Sequence, residues 1–497
     1  MPLHADELSA LTDAALSAAE SAGCAAAELR VERIRSQSLR LHDAAVEGTS
    51  DDTEFGMGVR VLVDGALGFA ATVDVTPAEA ANLVKLAIET ARVTSHAGGG
   101  RVELAPEPSH GTVEWSSAFD IDPVTIPLAD KVALLSERNA RLLGADGVTH
   151  ASANLLNVSE RTYLADLGGT RAQQHRVRVQ YQVEALAPTG GGFETMRTVA
   201  PPAGRGWEYV TGASGAWDFE AELAALPSHL AEKVAAPSVD AGLYDLVVDP
   251  TNLWLTIHES IGHATELDRA VGYEAAYAGT SFATFDQLGS LVYGSPVMHV
   301  TGDRTVPHGL ATVAIDSEGC GGQSFDLVTG GILSGYQLDR AIAAGMGFER
   351  SNGCAFADSP LHVPIQRMAN VSLGHSGADG PSTADLIGGV ERGLYVVGDK
   401  SWSIDMQRYN FQFTGQRFYA IVDGKLAGQV KDVAYQAVTT DFWGAMEAVG
   451  GSSTYLLGGA FNCGKGQPGQ VAPVSHGCPS VLVRGVNILN ARAEAGR

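Results

Sequence analysis

The chain has 497 residues, 45% hydrophobic and 18% charged, with a formal net charge of −24. The length suggests two to four domains with apolar material for more than one core, and the acidity excludes a nucleic-acid partner, since phosphate binding needs clustered Lys and Arg. No apolar run is long enough for a membrane span and residues 1–7 lack the pattern of a secretory signal; five scattered cysteines without a C-x-x-C pair point to a reducing, cytoplasmic location.

The first element is an alanine-rich helix over 4–22, with Leu8, Leu11 and Leu16 on one face. Two strands are expected at 27–34 and 38–46. A hairpin follows, in which 58–63 and 66–73 are joined by Asp64-Gly65, a pair suited to a type I′ turn because both central residues need positive φ. Thr76-Pro77-Ala78-Glu79 opens a helix that runs to Arg92: Thr76 caps it, Pro77 fits the first turn and Glu79 completes a capping box. A loop rich in Pro, Ser and Gly covers 97–115, and a second helix is expected over 128–143.

From 148 to 186 the texture is alternating. Val177, Val179, Tyr181 and Val183 share one face, and Arg176, Arg178, Gln180 and Gln182 the other, as in a half-buried antiparallel strand. A Gly- and Pro-rich stretch, 188–215, breaks it, and a helix is expected over 219–235. The main boundary falls at 236–241, dividing an N-terminal α/β domain (1–236) from a C-terminal, β-rich domain (237–497). There the apolar strand 244–248 leads through Asp249-Pro250-Thr251 into a helix, and the chain beyond Gly279 reads as short strands and Gly turns. The fold class is α+β: an N-terminal α/β region, then a mainly antiparallel β domain carrying that helix.

The helix contains His258-Glu259-Ser260-Ile261-Gly262-His263, an H-E-x-x-x-H motif. In the metallopeptidase pattern H-E-x-x-H, two His four apart on one helix face share a zinc ion. Here the spacing is five, which on a regular helix turns the second imidazole about 140° from the first. The two rings can face one ion only if a π-bulge absorbs the extra residue, and Gly262 is where such a distortion meets least steric resistance. A catalytic zinc site needs a third protein ligand. Glu266, Asp268, Cys463, His476 and Cys478 are all candidates, and spacing does not choose among them. Cys463 lies in a glycine-rich segment read as a loop. Asp245, Asp249 and Asp268 flank the helix as caps, surface charges or partners of the imidazoles.

The segment 258–269, His258-Glu259-Ser260-Ile261-Gly262-His263-Ala264-Thr265-Glu266-Leu267-Asp268-Arg269, resembles the TldD/PmbA family of metallopeptidases. So do Tyr273-Glu274, Ala278-Gly279-Thr280-Ser281-Phe282, the N-terminal Gly56-Met57-Gly58-Val59-Arg60-Val61 with Gly65 and Gly68, and Cys463-Gly464-Lys465-Gly466-Gln467. The resemblance covers nearly the whole chain. It implies one zinc ion per active subunit, held by His258, His263 and Cys463, with Glu259 as catalytic acid/base. It also implies an extended or unfolded peptide substrate and a related family subunit as partner in a homo- or heterodimer. The intact motif matches the active, TldD-type subunit. The expected activity is zinc-dependent peptide hydrolysis; the competing readings are a non-catalytic peptide-binding or assembly subunit and a zinc amidohydrolase of a small substrate. Strand addition to a sheet edge is the expected mode of peptide binding.

Overall fold

The computed structural model describes residues 4–96 and 100–494, so 97–99 of the expected loop and 1–3 of the N-terminal segment lie outside the described residues. The N-terminal part comprises α1 (Ala5–Ser21), β1 (Ala26–His42), β2 (Ala45–Val63), β3 (Ala66–Thr72), α2 (Pro77–His96), β4 (Thr112–Ser116), α3 (Leu128–Leu143), β5 (His150–Asp166), β6 (Arg171–Thr189), β7 (Gly192–Arg197) and α4 (Phe219–Ala235). Its sheet has the order β3-β2-β1-β5-β6-β4, with β7 also on β6; every pairing is antiparallel except that of β4 with β6.

The two short strands expected at 27–34 and 38–46 are one continuous strand, β1, and the reversal comes at Asp43-Ala44, both at positive φ. The polar residues that look like a break find partners across the ladder. Arg35 and Gln37 donate to Asp51 and Ser38 meets Ser50, so this stretch stays in the sheet without a buried apolar face. The Asp64-Gly65 turn has positive φ at both positions (53° and 79°). Thr76 accepts the Glu79 amide, but the Glu79 carboxylate goes to Asn82 rather than back to the cap, so only half the expected capping box forms, and α2 continues to His96. The break expected at 188–215 contains β7 and a short helical turn, Trp207–Val210.

Period-two alternation puts Leu29, Val31, Leu39 and Leu41 of β1 on one face. At one end of this face α1 and α2 cover Leu29, Val31, Val59 and Val61; at the other, α3 and α4 cover Leu39, Leu41, Leu155 and Tyr181. Gly68 is required here, since a Cβ would lie 1.8 Å from the Ala87 carbonyl oxygen of α2. The opposite face is not solvated, contrary to the alternation reading of Arg176 and Arg178. Both are buried and both bond Glu160, and Arg176 stacks over Phe356. Arg30 donates to the His362 carbonyl, and Arg60 joins Glu28 to Glu318. The C-terminal part therefore packs on the charged face of the first sheet, and paired ions make that burial tolerable.

The second sheet comprises β8 (Gly242–Val248), β9 (Arg392–Ile404), β10 (Asn410–Val422), β11 (Lys425–Val430), β12 (Val433–Val438), β13 (Met446–Val449) and a late strand, Val481–Asn490. Its path β9, β8, Val481–Asn490, β12, β10 closes on itself because β9 also pairs with β10; β11 and β13 flank the ring. Only β8 and β9 run parallel. The motif helix, α5 (Pro250–Ile257), leaves the end of β8. Asp249 caps it by accepting the Thr251 amide, and Pro250 occupies its first turn. Tyr435 of β12 bonds both Asn252 and Thr256, and Asn252 donates to the carbonyls of Gly398 and Thr414, which ties the helix to the strands. Across its other side lies a separate two-stranded hairpin, Leu456–Lys465 with Gln470–Cys478. Among the described residues no helix is long and apolar enough to cross a membrane.

Candidate metal centre

α5 passes directly into a π-helical turn, His258–Gly262, closed by the His263 N–H donating to the His258 carbonyl five residues back. The wider turn absorbs the extra residue of the motif and brings the two imidazoles to the same side, with ring centroids 4.7 Å apart. Side chains take up carbonyls along the distorted stretch. Tyr293 donates to Ser260, Thr265 to Ile261 and Gln337 to Gly262, while Trp443 donates to the Ser260 hydroxyl. Gly262 is not there for its backbone freedom, since its φ of −52° and ψ of −58° suit any residue. It is there for space: a Cβ would lie 2.6 Å from Met368 Sδ and 3.6 Å from His476 Cε1.

Hydrogen bonds behind the rings fix their tautomers. His476 Nδ1 lies 2.9 Å from the Val371 carbonyl, so it carries a proton and donates. Its Nε2 is then an acceptor, and His258 Nδ1 donates to it at 2.8 Å. His263 Nδ1 donates to Glu266 Oε2, also at 2.8 Å. Both motif histidines therefore keep a lone pair on Nε2. His263 Nε2 is 3.5 Å from Cys463 Sγ, and one ligand atom each from His258, His263 and Cys463 all lie within 4.8 Å of one another.

Cys463 is not in a loop, as the sequence reading has it, but near the end of the strand Leu456–Lys465. A register shift between Ala460 and Cys463 re-aims the sulfur, and Arg367 clamps the hairpin by donating to the carbonyls of Cys463 and Gln470. Burial would raise the Cys463 thiol, but His263 and Arg367 outweigh it and the pKa is lowered. Burial lowers that of His258 and favours the neutral ring. The donor set fits a zinc ion. Two lone pairs and a sulfur prone to ionise converge in a buried space, where a single S–H proton satisfies at most one of them. Two imidazoles and a thiolate are a zinc-type set of three that leaves the fourth position open.

Glu259 is beside this trio and outside it. Burial raises its carboxyl, but His258, His263 and Arg408 outweigh that and hold it below the ordinary carboxylate range. Arg408 Nη1 donates to Glu259 Oε2 at 2.6 Å. Of the other candidate ligands, Glu266 supports His263 and His476 supports His258. Asp268 binds Lys465 at 2.8 Å, and Cys478 Sγ lies 3.6 Å from the Pro250 carbonyl. Asp249 is a cap and Asp245 pairs with Arg484. Lys465, fully buried, faces Glu266, Asp268 and Glu274 together. Sequence reasoning missed Arg408, Arg367 and Gln337, each remote from the motif and without a local pattern of its own.

Residues 241–490 match the model of the PmbA/TldA metallopeptidase C-terminal domain, and residues 27–91 that of PmbA/TldA metallopeptidase domain 1. The chain is 26% identical over 463 residues to a metalloprotease of Methanothermobacter thermautotrophicus, covering 92% of this chain and 94% of that protein. It is 27% identical over 474 residues to a metalloprotease TldD homolog of Haemophilus influenzae, covering 93% and 92%. The crystal structure of TldE from Thermococcus kodakarensis superposes with a TM-score of 0.73 at 16% identity, over 96% of this chain and 99% of that one, a likeness of fold.

Proposed function

Since the chain belongs to the PmbA/TldD family and is a metallopeptidase, we propose that it cleaves extended peptides with one zinc ion held by His258, His263 and Cys463 and with Glu259 as the general base. The observation that carries this reading is the convergence of the two motif imidazoles and the Cys463 sulfur, one ligand atom from each within 4.8 Å of the others, with the Glu259 carboxylate alongside. A zinc ion in that seat supplies a Lewis acid for the scissile carbonyl and lowers the pKa of water from 15.7 toward about 7.

The chain supplies proton handling and orientation. Glu259 Oε2 is held by Arg408, which leaves Oε1 to take a proton from the attacking water as its oxygen bonds the carbonyl carbon. When the C–N bond breaks, the same carboxyl returns the proton to the leaving amine. His476 and Glu266 keep the imidazoles in the tautomer the site needs. A surface groove of about 690 Å³ lies beside the Arg408 turn and is lined by Ser281, Phe282, Val292, Gln407 and Tyr409. We assign it to an extended substrate, whose main chain suits a site that reads little sequence. We also propose a related family subunit as dimer partner, by analogy with TldE, and a cytoplasmic location, in keeping with five free cysteines.

Glu259→Gln tests the reading. The variant is expected to keep about one zinc per chain by mass spectrometry and to lose cleavage of an unstructured peptide. Retained cleavage rules out the assigned base. His258→Ala and Cys463→Ala are expected to lose the metal; either variant keeping it with unchanged affinity rules out that ligand.

A further inference from the structure

We infer that Arg408 is a catalytic residue whose guanidinium binds the substrate's carbonyl oxygen as negative charge develops there, an assignment that rests on the peptidase reading above. Arg408 sits on the turn between β9 and β10, 149 residues from Glu259 in the chain. The turn is tightly determined. The Asp405 carboxylate accepts the amides of Gln407, Tyr409 and Asn410, and the Arg408 carbonyl accepts from the Thr439 hydroxyl. The carbonyls of Met406 and Gln407 accept the amides of Thr280 and Phe282, in the segment that follows the motif. At Gly279 a Cβ would lie 2.1 Å from the Met406 carbonyl oxygen, so the two segments touch backbone to backbone. Arg408 itself is held at φ +65°, an uncommon conformation for a side chain with a Cβ, and one that surrounding structure must enforce.

This rigid turn presents a guanidinium with most of its donors unused. Nη1 is on Glu259 Oε2, Nε is buried without a partner, and no bond to a described residue is found for Nη2. The charges of Glu259, Arg269, Glu266 and Cys463 all act on it and its side chain is 13% exposed, so it borders the metal centre on a side that solvent still reaches. Arginine and carboxylate are often joined by two parallel bonds; Arg408 makes a single bond to Glu259 and keeps donors in reserve.

The charges account for the reserve. Water gives a proton to Glu259 while its oxygen bonds the carbonyl carbon, and the π electrons of that carbonyl move to its oxygen. Glu259 becomes neutral at the moment the carbonyl oxygen becomes negative. The electrostatic hold of Glu259 on Arg408 weakens, and the free N–H groups of the guanidinium gain a nearby anion. When the intermediate collapses, the electrons return, the C–N bond breaks, and the amine takes the proton from Glu259, which recovers its pairing with Arg408. A donor placed in advance where charge develops is the arrangement that lowers a barrier most.

The test uses the zinc-loaded full chain with Arg408→Ala, Arg408→Lys and Arg408→Gln, a quenched-fluorophore decapeptide without secondary structure, and a phosphonate analogue of that peptide. Zinc content and thermal midpoint are expected to stay near the parent's. For the Ala and Gln variants kcat is expected to fall roughly 10²–10³-fold, with KM changed by less than about threefold. Phosphonate affinity should fall in step with kcat/KM, and added guanidinium should restore part of the Ala variant's rate and none of the parent's. Unchanged kcat, a loss confined to KM, or phosphonate affinity untouched while kcat falls would each overturn the assignment; the last would make Arg408 a positioning residue for Glu259. If the Ala variant does not fold, the Gln and Lys variants answer the same question. Glu259→Gln is run in parallel. Its retention of cleavage would sink the base, whereas the phosphonate affinities of the Arg408 variants bear on Arg408 alone.

Discussion

Gly262→Ala isolates the reason for a glycine between the two histidines. Its backbone is helical, so alanine brings no strain and, by restricting the unfolded chain, gains about 0.4–1 kcal/mol. Against this, the new methyl carbon would start 2.6 Å from Met368 Sδ and 2.8 Å from its Cε, where ordinary contact is about 3.5–4.0 Å. Met368 is fully buried and cannot swing into solvent, so its end must move about 1 Å into packed neighbours, an overpacking cost of about 1–3 kcal/mol. The net loss runs from about 0 to about 2.6 kcal/mol, with about 1.3 kcal/mol at its middle. Because residue 262 lies inside the π turn, any yielding of the backbone rotates His263, so the loss should register in metal affinity as a roughly tenfold weaker zinc dissociation constant. Chelator competition measures this for Gly262→Ala in the parent and in a Met368→Ala background. In the second background the clash is gone, so the penalty should largely vanish. An equal penalty in both backgrounds, or none in the parent, would refute the argument that the glycine is there for space.

Replacing His476 by Ala removes the acceptor behind His258 and is expected to weaken zinc binding about 10–100-fold, read by the same competition; an unchanged constant would mean His258 needs no such support. Lys465→Met leaves Glu266, Asp268 and Glu274 buried with Arg269 as their remaining cation, and a loss of about 3–5 kcal/mol is expected in denaturant unfolding. A cost near zero would show that the network is solvated. Burial would raise the Glu160 carboxyl, but Arg176 and Arg178 bring it down to about 2. A depressed carboxylate contributes stability above its unfolded pKa that is lost as pH falls through the folded one, here between about pH 4.5 and 2. The thermal midpoint of Glu160→Gln should therefore decline less steeply than the parent's across that window, and parallel curves would count against the assignment. Asp339 is the opposite case: burial first, then Glu318, push its pKa up to about 8, while its side chain accepts the Ile342 amide. A raised carboxyl contributes its stability below the unfolded pKa and loses it as pH rises through the folded one. Asp339→Asn keeps the acceptor without the charge, so it should gain on the parent from pH 6 to pH 9; a constant offset would refute this.

Much of the local structure was legible in the sequence. The helices Leu128–Leu143 and Phe219–Ala235 have the expected bounds, and the Asp64-Gly65 turn and the Asp249-Pro250 helix start are where their residue types place them. So is the π turn, because five steps between two histidines leave no other way for them to face each other. Two of the errors have a common source. The polar middle of β1 reads as a break, and the Arg176–Arg178 face reads as solvated, because pattern reasoning treats a polar residue as one that meets water. Here those residues meet Asp51, Ser50 and Glu160 instead.

The sequence by itself determined most of the helices and turns, and that two histidines five apart can share an ion only on a distorted helix, since caps, turns and periodicity depend on neighbours a few residues apart. Residue spacing left the five candidates open and only the resemblance implied Cys463; what stands next to the two imidazoles, what lies behind each ring, and that an arginine reaches the carboxylate came from the tertiary structure. Cys463 is 200 residues from His263, and Arg408 is 149 from Glu259. Contacts over such separations are set by how the strands of the second sheet, the hairpin and the helix pack as bodies, and short-range residue patterns carry no record of that packing.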